Sequence, residues 1–461
     1  MDWHTEAEKR RDEIIGELQS LIAIPSVLSE DTTPEAPFGT EVKRALEWFM
    51  DKGEKRGYRV KNVAHVAAHL EIGEGEELLG ILGHVDVVPA GAGWTKAPFG
   101  SEVDGGKLYG RGSIDDKGPT IAAWTALNMV KEAGFEFDKR VRLIIGTDEE
   151  SGFRCVERYF ETEEMPSIAF APDADFPIIN AEKGIASLAF SKKEWTEKDE
   201  LLSFVSGKRT NMVPDLAEAV VAGSLADWQA AFETFCSKYK VKSETEQIDE
   251  GVKLAVHGKS AHAMEPDEGI NAGILLAVFL KDHLTGDGKD FTAFIADHFY
   301  GDSRGRKLGL DFTDDISGDT TFNAGIMRFE QEKQATIEVS MRYSISYPFE
   351  EKMADAKSDA FSMEIRSNSF PHYVDGDDPF IQTLQKAYEK QTGNPADLLA
   401  IGGGTYARVL QKGVAYGMLF PGEKDVAHQA DEFVDIDNLI KATAIYAEAI
   451  YQLACKKSEE A

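Results

Sequence analysis

The sequence contains few cysteines, and they follow no recognisable pattern. Cys155, Cys236 and Cys455 lie far apart in a chain of 461 residues and form no CxxC pair. An odd count without a spacing pattern predicts neither a disulfide framework nor a thiolate metal site. We therefore expect reduced thiols in the protein core and a cytoplasmic location.

Long apolar runs are also missing. The longest, AGILLAVFL from Ala272 to Leu280, is far shorter than the ~20 residues that cross a bilayer, and it is typical of the buried face of a helix. The first 18 residues are charged throughout and lack the apolar centre of a signal peptide. These features predict an unexported protein with no membrane partner.

Positive charge is scarce relative to negative charge. The chain has 81 acidic residues against 50 Lys and Arg residues, which gives a formal net charge of -31. Such an excess repels phosphate backbones and anionic lipids, so we expect no nucleic-acid partner. The HExxH motif of one class of zinc proteases is absent from the sequence.

The order of strand and helix patterns predicts an α/β fold with an insertion. The first half of the chain alternates short apolar strands with amphipathic helices, which is typical of a mainly parallel sheet flanked by helices. This pattern stops near Gly184, gives way to amphipathic strands, and resumes after about Tyr373. We expect a discontinuous domain of residues 1–184 and 373–461 and an inserted α+β domain of residues 185–372.

Acidic and histidine side chains follow the apolar strands of the first pattern. In open α/β sheets, ligands bind at the carboxyl ends of the strands, so we expect these side chains to converge there. The residues concerned are His84, Asp86, Asp115, Asp116, Glu149, Glu150, Asp173 and His428.

Converging carboxylates require a cation. Imidazole and carboxylate ligands without thiolates suit zinc, manganese or cobalt. The set is larger than one tetrahedral zinc needs, so two ions about 3.5–4 Å apart that share a carboxylate fit better. Each part also has an ordinary explanation by itself, because an HxD pair is often structural and Glu149–Glu150 could be the solvated start of a helix. Their recurrence along one sheet edge favours the joint interpretation.

Several sequence blocks resemble those of a known enzyme family. The resemblance is to the dinuclear zinc aminoacylase/carboxypeptidase/carnosinase-type metallopeptidases and covers essentially the whole chain. Within that family, three further blocks are similar to a bacterial dipeptidase branch. The family blocks are GHVDVVP, YGRGSIDDKGP, GTDEESG, APDADFP and AHQADE, and the branch blocks are GKSAHAMEPDEGINA, RTNMVPD and AIGGGTYAR.

The resemblance implies a role for each candidate residue of the metal site. It implies two Zn²⁺ ions per chain, with Mn²⁺ or Co²⁺ as substitutes, and a general base that accepts a proton from a metal-bridging water. Asp116 is non-ligating in the family pattern. The remaining roles are Asp115 as the bridging ligand, His84 and Asp173 at one ion, Glu150 and His428 at the other, Asp86 as the partner of the His84 imidazole, and Glu149 as the base.

The inserted domain supplies the implied substrate contacts and bears on the oligomeric state. His262 would stabilise the oxyanion, although without the motif it would be an ordinary surface histidine. Arg342 would bind the substrate carboxylate, with the backbone amides near Gly403 around the same group, and Asn211 would contact the substrate. The insertion is long enough for a lid of two lobes, which favours a monomer.

The resemblance thus predicts an enzyme that acts on small dipeptides. The first hypothesis is a zinc dipeptidase for unmodified dipeptides with a free N-terminus, including the β-Ala-His type. An N-acyl amino acid deacylase of the succinyl-diaminopimelate or acetylornithine type would use the same site. A non-catalytic metal-dependent binding protein is a third possibility, against which the presence of Glu149 argues.

Overall fold

The chain divides into two compact units. A computed structural model of the protein describes residues 1–192, 194–195, 200–356 and 361–456. Unit 1 spans Met1–Ala181, Tyr373–Ala400 and Gly404–Ala461, and unit 2 spans Glu182–His372 and Ile401–Gly403.

Eleven α-helices lie within the described residues. Their ends follow local sequence signals. For example, α10 starts with an Asp378 cap and Pro379 in its first turn, and it ends at Gly393 in the left-handed conformation. The helices are α1 (Trp3–Glu8), α2 (Arg11–Ile22), α3 (Thr40–Lys55), α4 (Lys117–Glu132), α5 (Arg154–Phe160), α6 (Leu225–Tyr239), α7 (Ala272–Leu280), α8 (Gly286–Phe299), α9 (Phe349–Ala354), α10 (Pro379–Thr392) and α11 (Ile436–Ala454).

The same residues contain 24 strands, several of them only two residues long. They are β1 (Arg59–Val63), β2 (Ala67–Ile72), β3 (Leu78–His84), β4 (Val103–Asp104), β5 (Lys107–Tyr109), β6 (Arg140–Gly146), β7 (Ile168–Ala171), β8 (Ala174–Asp175), β9 (Ile178–Glu182), β10 (Gly184–Lys192), β11 (Leu201–Ser206), β12 (Leu216–Val221), β13 (Lys242–Ile248), β14 (Gly251–His257), β15 (Thr313–Asp314), β16 (Gly318–Asp319), β17 (Thr321–Glu330), β18 (Gln334–Tyr343), β19 (Phe361–Ser369), β20 (His372–Tyr373), β21 (Leu398–Ile401), β22 (Gly413–Ala415), β23 (Met418–Leu419) and β24 (Phe433–Asp435).

Unit 1 is built on a nine-stranded mixed sheet. Its order is β1-β2-β6-β3-β7-β22-β9-β20, with β21 paired to β9. The central strands β6, β3, β7 and β22 are parallel, which confirms the predicted α/β fold with a parallel sheet. The β1–β2, β2–β6 and β22–β9 pairings are antiparallel, and the short connection between β1 and β2 makes those two strands a hairpin.

Both faces of this sheet are covered, as the nearly continuous apolar runs of β3 and β6 predict. Successive side chains point to opposite faces. Leu79 and Ile81 pack into the core that contains α2, α4 and α11. Leu82 and Ile144 pack instead into a second core with side chains of α3 and α5.

Polar side chains therefore gather at one edge of the sheet, beyond the ends of the buried strands. β3 ends at His84, β6 ends three residues before Glu149, and β7 ends two residues before Asp173. Since β6, β3 and β7 are parallel neighbours, their carboxyl ends meet at this edge. The order of the strands thus brings together residues that are distant in the sequence.

Unit 2 contains one continuous antiparallel sheet of eight strands. Its order is β13-β14-β12-β11-β17-β18-β10-β19, and one hydrophobic core packs against it. The division of this unit into two lobes stays a prediction. Phe232 of α6, Leu276 of α7 and Phe291 of α8 pack into that core. Seven of the nine residues of α7 are buried, which confirms the interpretation of AGILLAVFL as a buried helix.

Two sequence-based expectations can be checked directly. All three cysteines lie within the described residues and are free and buried, as predicted. Among the described helices, none combines the length and apolar character that crossing a bilayer requires.

Candidate metal centre

Two histidines of unit 1 share a single carboxylate. The Nε2 atom of His84 lies 3.2 Å from Asp115 Oδ1, and the Nε2 atom of His428 lies 2.9 Å from Asp115 Oδ2. Asp115 lies just before α4, His84 is the last residue of β3, and His428 lies in the loop between β23 and β24. Each oxygen of one carboxylate thus faces a different imidazole, as a ligand that bridges two ions must do.

Each histidine also has a second carboxylate nearby. Asp173 Oδ1 is 3.7 Å from His84 Nε2, and Glu150 Oε2 is 3.0 Å from His428 Nε2. The five ligands predicted from the sequence therefore lie together in unit 1, in two groups that meet at Asp115.

Asp86 contacts both the first histidine and the pair of glutamates. Its backbone oxygen is 3.0 Å from His84 Nδ1, and its Oδ1 atom is 3.4 Å from the same nitrogen. Its carboxylate accepts hydrogen bonds from the backbone N–H groups of Glu149 at 3.2 Å and Glu150 at 3.1 Å. Because β3 ends at His84, Asp86 makes these contacts from the following loop. It orients the imidazole and fixes the turn that contains the two glutamates.

Asp116 is completely buried. Its Oδ2 atom accepts hydrogen bonds from the backbone N–H of His84 at 3.0 Å and from Thr120 Oγ1 at 2.8 Å. Its other oxygen is buried without a hydrogen-bond partner among the described residues. Asp116 also lies within ligand range of His84 and Asp173, and the Asp115–Asp116 peptide bond is cis. Asp116 therefore connects the end of β3 to the start of α4.

The pKa values of the two histidines indicate strongly anionic surroundings. Burial alone would lower the pKa of His84, but the surrounding carboxylates, Asp115 foremost, raise that pKa well above its ordinary value. Hydrogen bonds to Asp115 and Glu150 raise the pKa of His428 to about 11. Both imidazoles thus lie where a positive charge is strongly favoured.

The pKa values of the buried carboxylates are shifted as well. Burial, together with the charges of neighbouring acids, raises the pKa of three of them, which are Glu149, Glu150 and Asp173. So many buried carboxylates are stable together only if cations or protons balance their charge.

The donor atoms fit divalent metal ions. His84 Nε2 is buried and has no hydrogen-bond partner in the described part of the chain, although carboxylate oxygens lie close to it. A divalent metal ion would satisfy a ring nitrogen in that position, and the nearby carboxylates would help to hold it. Imidazole and carboxylate donors without thiolates suit zinc, manganese or cobalt.

The four residues predicted to contact substrate all lie in unit 2. The backbone oxygen of Asn211 accepts a hydrogen bond from Ala263 N–H at 2.9 Å, next to His262. Arg342, in β18, donates to the backbone oxygen of Gly402 at 3.2 Å. Burial, together with the Arg342 charge, lowers the pKa of His262. Gly403, which follows Gly402 in the chain, completes this group.

The sequence interpretation gave no role to two charged residues beside the candidate metal ligands. Arg111 and Glu432 form an ion pair in which the side chains are 1% and 0% exposed. Both belong to blocks that carry the family resemblance, YGRGSIDDKGP and AHQADE. In each block the charged residue lies four positions from a predicted ligand, and this spacing could have drawn attention to Arg111 and Glu432.

Comparison with known proteins decides the family. The family model described as "Peptidase family M20/M25/M40" matches residues 80–452. The chain belongs to this peptidase family. The prediction of an enzyme of the peptidase class is thereby confirmed.

Full-length relatives carry dipeptidase names. This M20/M25/M40 peptidase is 47% identical over 467 residues to the Bacillus subtilis protein named "Putative dipeptidase YtjP", with 98% of this chain and 100% of that protein covered. It is 41% identical over 465 residues to a Staphylococcus epidermidis protein named "Putative dipeptidase", with 98% and 99% covered. The crystal structure of human carnosine dipeptidase 1 matches with a TM-score of 0.57 at 15% identity and covers 98% of both chains. At that identity the structural match shows a shared fold.

Proposed function

We propose that this peptidase is a dinuclear metal-dependent dipeptidase that hydrolyses unmodified dipeptides with a free N-terminus, including the β-Ala-His type. The observation that carries the proposal is the position of Asp115, whose two carboxylate oxygens face His84 and His428 separately. The dipeptidase names of the full-length relatives support the substrate class.

The proposed cofactor is a pair of zinc ions, for which Mn²⁺ or Co²⁺ can substitute. Asp115 would contact both ions, and the other ligands would be His84 and Asp173 for one ion and Glu150 and His428 for the other. When bound, such ions supply Lewis acidity, which polarises a carbonyl group and lowers the pKa of water.

Glu149 is the proposed general base. Its backbone is held by Asp86, and burial and the nearby acids raise the pKa of its carboxyl well above the ordinary value. A carboxyl group with a raised pKa can accept a proton and release it again. Glu149 accepts a proton from the water whose oxygen attacks the peptide carbonyl carbon. It returns that proton to the amine when the C–N bond breaks, so the products are two amino acids.

The group of residues in unit 2 is proposed to bind the substrate. His262 would donate to the oxyanion, and Arg342 would bind the carboxylate of the dipeptide, for which a guanidinium group is well suited. Asn211 and the backbone near Gly403 would make further polar contacts. The close grouping of these residues in unit 2 supports a shared role.

We further propose a cytoplasmic monomer of the PepV type. The branch blocks in the sequence support the PepV assignment, and the three free, buried cysteines suit a reducing compartment.

A substrate comparison tests the proposed function. Purified protein loaded with Zn²⁺ should hydrolyse Leu-Gly and β-Ala-His and leave N-acetylornithine intact. Exhaustive chelation should abolish this hydrolysis, and adding Zn²⁺ should restore it. Activity on N-acetylornithine alone would replace the dipeptidase with the deacylase.

A further inference from the structure

A buried ion pair joins the two loops that carry Asp115 and His428. Arg111 Nη1 donates to Glu432 Oε2, and both side chains are almost completely buried. Arg111 lies four residues before Asp115, and Glu432 lies four residues after His428. The pair therefore connects segments that are more than 300 residues apart in the sequence.

The second oxygen of Glu432 holds the backbone that leads to Asp115. Glu432 Oε1 accepts hydrogen bonds from the N–H groups of Gly112 at 2.9 Å and Ile114 at 3.1 Å. The backbone oxygen of Glu432 accepts from Gly110 N–H at 2.9 Å. Residues 110–114 form turns and bends, so these contacts replace the hydrogen bonds that a helix or strand would provide.

The same two loops are also tied to the loop that follows β3. Arg111 donates to the Ala90 oxygen at 3.3 Å, and its guanidinium lies 5.3 Å from the centre of the Trp94 ring. Asp431, next to Glu432, accepts hydrogen bonds from the N–H groups of Thr95 at 2.8 Å and Lys96 at 3.1 Å. Three loops beside the metal centre thus meet at residues 431–432 and Arg111.

The two histidine ligands are supported very differently. His84 ends a buried strand, and its side chain is 0% exposed. His428 lies in a loop in the left-handed conformation (φ 63°), and its side chain is 51% exposed. Packing therefore fixes His84, whereas the position of His428 depends on the contacts of its loop.

We propose that Glu432 and Arg111 are positioning residues that hold His428 against Asp115. They thereby set the affinity of the metal position formed by Asp115, Glu150 and His428. This inference rests on the proposed dinuclear function. Asp115 is shared with the other metal position, but His84 and Asp173 lie at the ends of β3 and β7, so that position depends less on the ion pair.

Glu432→Gln is the most informative variant. It keeps the side-chain volume and an oxygen that can accept from Gly112 and Ile114, but it removes the charge that faces Arg111. Metal-free protein is titrated with Zn²⁺ against a chelating dye, so that the two binding steps are resolved. In wild type we expect two ions per chain. In Glu432→Gln we expect one step to weaken about 10–100-fold and the other to stay within about twofold.

The Glu71→Gln variant is the matched control. Glu71 also forms a buried ion pair, with Arg142 at 2.6 Å. The two residues are directly opposite in the β2–β6 pairing, near the end of β6 that is remote from Glu149. The control removes a comparable buried charge, and we expect both of its Zn²⁺ binding steps to match those of wild type.

The outcomes separate this inference from the proposed function. Circular dichroism of the metal-free variants checks folding. If Glu432→Gln does not fold, the Arg111→Met/Glu432→Gln double variant, which leaves no unpaired buried charge, should show the same single weakened step. Unchanged binding by Glu432→Gln would overturn the positioning role alone, and so would an equal loss in the Glu71→Gln control. A wild-type protein that binds fewer than two ions would overturn the dinuclear function together with this inference.

Discussion

Replacing Glu149 with glutamine should separate catalysis from metal binding. The amide has nearly the same shape as the carboxylate but cannot accept the proton of the attacking water. The hydrogen bond that fixes this segment comes from the backbone N–H of Glu149 to Asp86, so the substitution leaves it intact. Burial and the neighbouring acids already disfavour the charged form of Glu149, so we expect no loss of thermal stability when the neutral amide replaces it.

The size of the effect follows from the role of the group. General acid–base catalysis contributes about 10²–10⁴-fold in rate, which corresponds to about 2.7–5.4 kcal/mol in the activation barrier. We therefore expect kcat for Leu-Gly to fall by about that factor in Glu149→Gln. Elemental analysis should still find two ions per chain. Turnover within about tenfold of wild type, with both ions present, would show that Glu149 is not the base.

The neighbouring Glu150→Gln variant provides a matched control. Glu150 Oε2 lies 3.0 Å from His428 Nε2, and Glu150 is proposed as a ligand. This variant should lose one ion or bind it much more weakly, which Glu149→Gln should not do. Equal metal loss in the two variants would contradict the separate roles assigned to the two glutamates.

Three further predictions follow from the same geometry. His428→Ala should weaken metal binding strongly and lower the metal content below two ions per chain, and unchanged content would remove His428 from the site. In chelated protein, Asp115 and Glu150 raise the pKa of His428 to about 11 in the folded state, against about 6.5 in the unfolded chain. That stabilisation is complete below about pH 6.5 and is lost as the pH rises toward about 11. The Tm of the chelated wild-type protein should therefore fall more between about pH 7 and about pH 10 than the Tm of chelated His428→Ala. The fall in Tm should be modest, because half of the His428 side chain is exposed and solvent screens its charge. An equal fall in Tm in the two proteins would contradict the stabilising role given to the His428 charge. Gly146→Ala should lower the free energy of unfolding by about 1–3 kcal/mol, because the added Cβ would lie 2.2 Å from the Tyr406 hydroxyl. It should also weaken metal binding, because the Tyr406 ring packs against His84. A denaturant titration that gives the variant the same free energy of unfolding as wild type would refute this prediction.

The elements of unit 1 could be predicted because their sequence patterns are strong and local. The run from Val141 to Thr147 predicts a buried strand, and β6 spans Arg140–Gly146. The long apolar periodicity after Asp435 predicts the final helix, and α11 spans Ile436–Ala454. In both cases burial and periodicity agree over many residues.

The pairing of strands was harder to predict. Hydrophobic alternation indicates the strands β10, β14, β17 and β18, but it does not indicate their partners. The eight-stranded sheet of unit 2 places β11 beside β17 and β18 beside β10. Such contacts between distant segments depend on the packing of a whole core and leave little trace in any short stretch of sequence.

The same distinction applies to the site. The positions of candidate ligands at the ends of apolar strands, such as His84 and Asp173, could be predicted because the sheet determines where strand ends lie. Arg111 and Glu432 lie in loops without periodicity, and their burial comes from a contact across the chain. The motif suggested only that Asp116 is non-ligating. Its hydrogen bond to the His84 backbone could not be predicted, because that contact depends on the fold.

The most direct test of the account is the metal dependence of the wild-type protein. Metal content and Leu-Gly hydrolysis are measured on one folded sample before chelation, after exhaustive chelation and after Zn²⁺ is restored. The account predicts two ions per chain, loss of hydrolysis together with the ions, and recovery of both. A folded, metal-free sample that cleaves Leu-Gly at the original rate would contradict it.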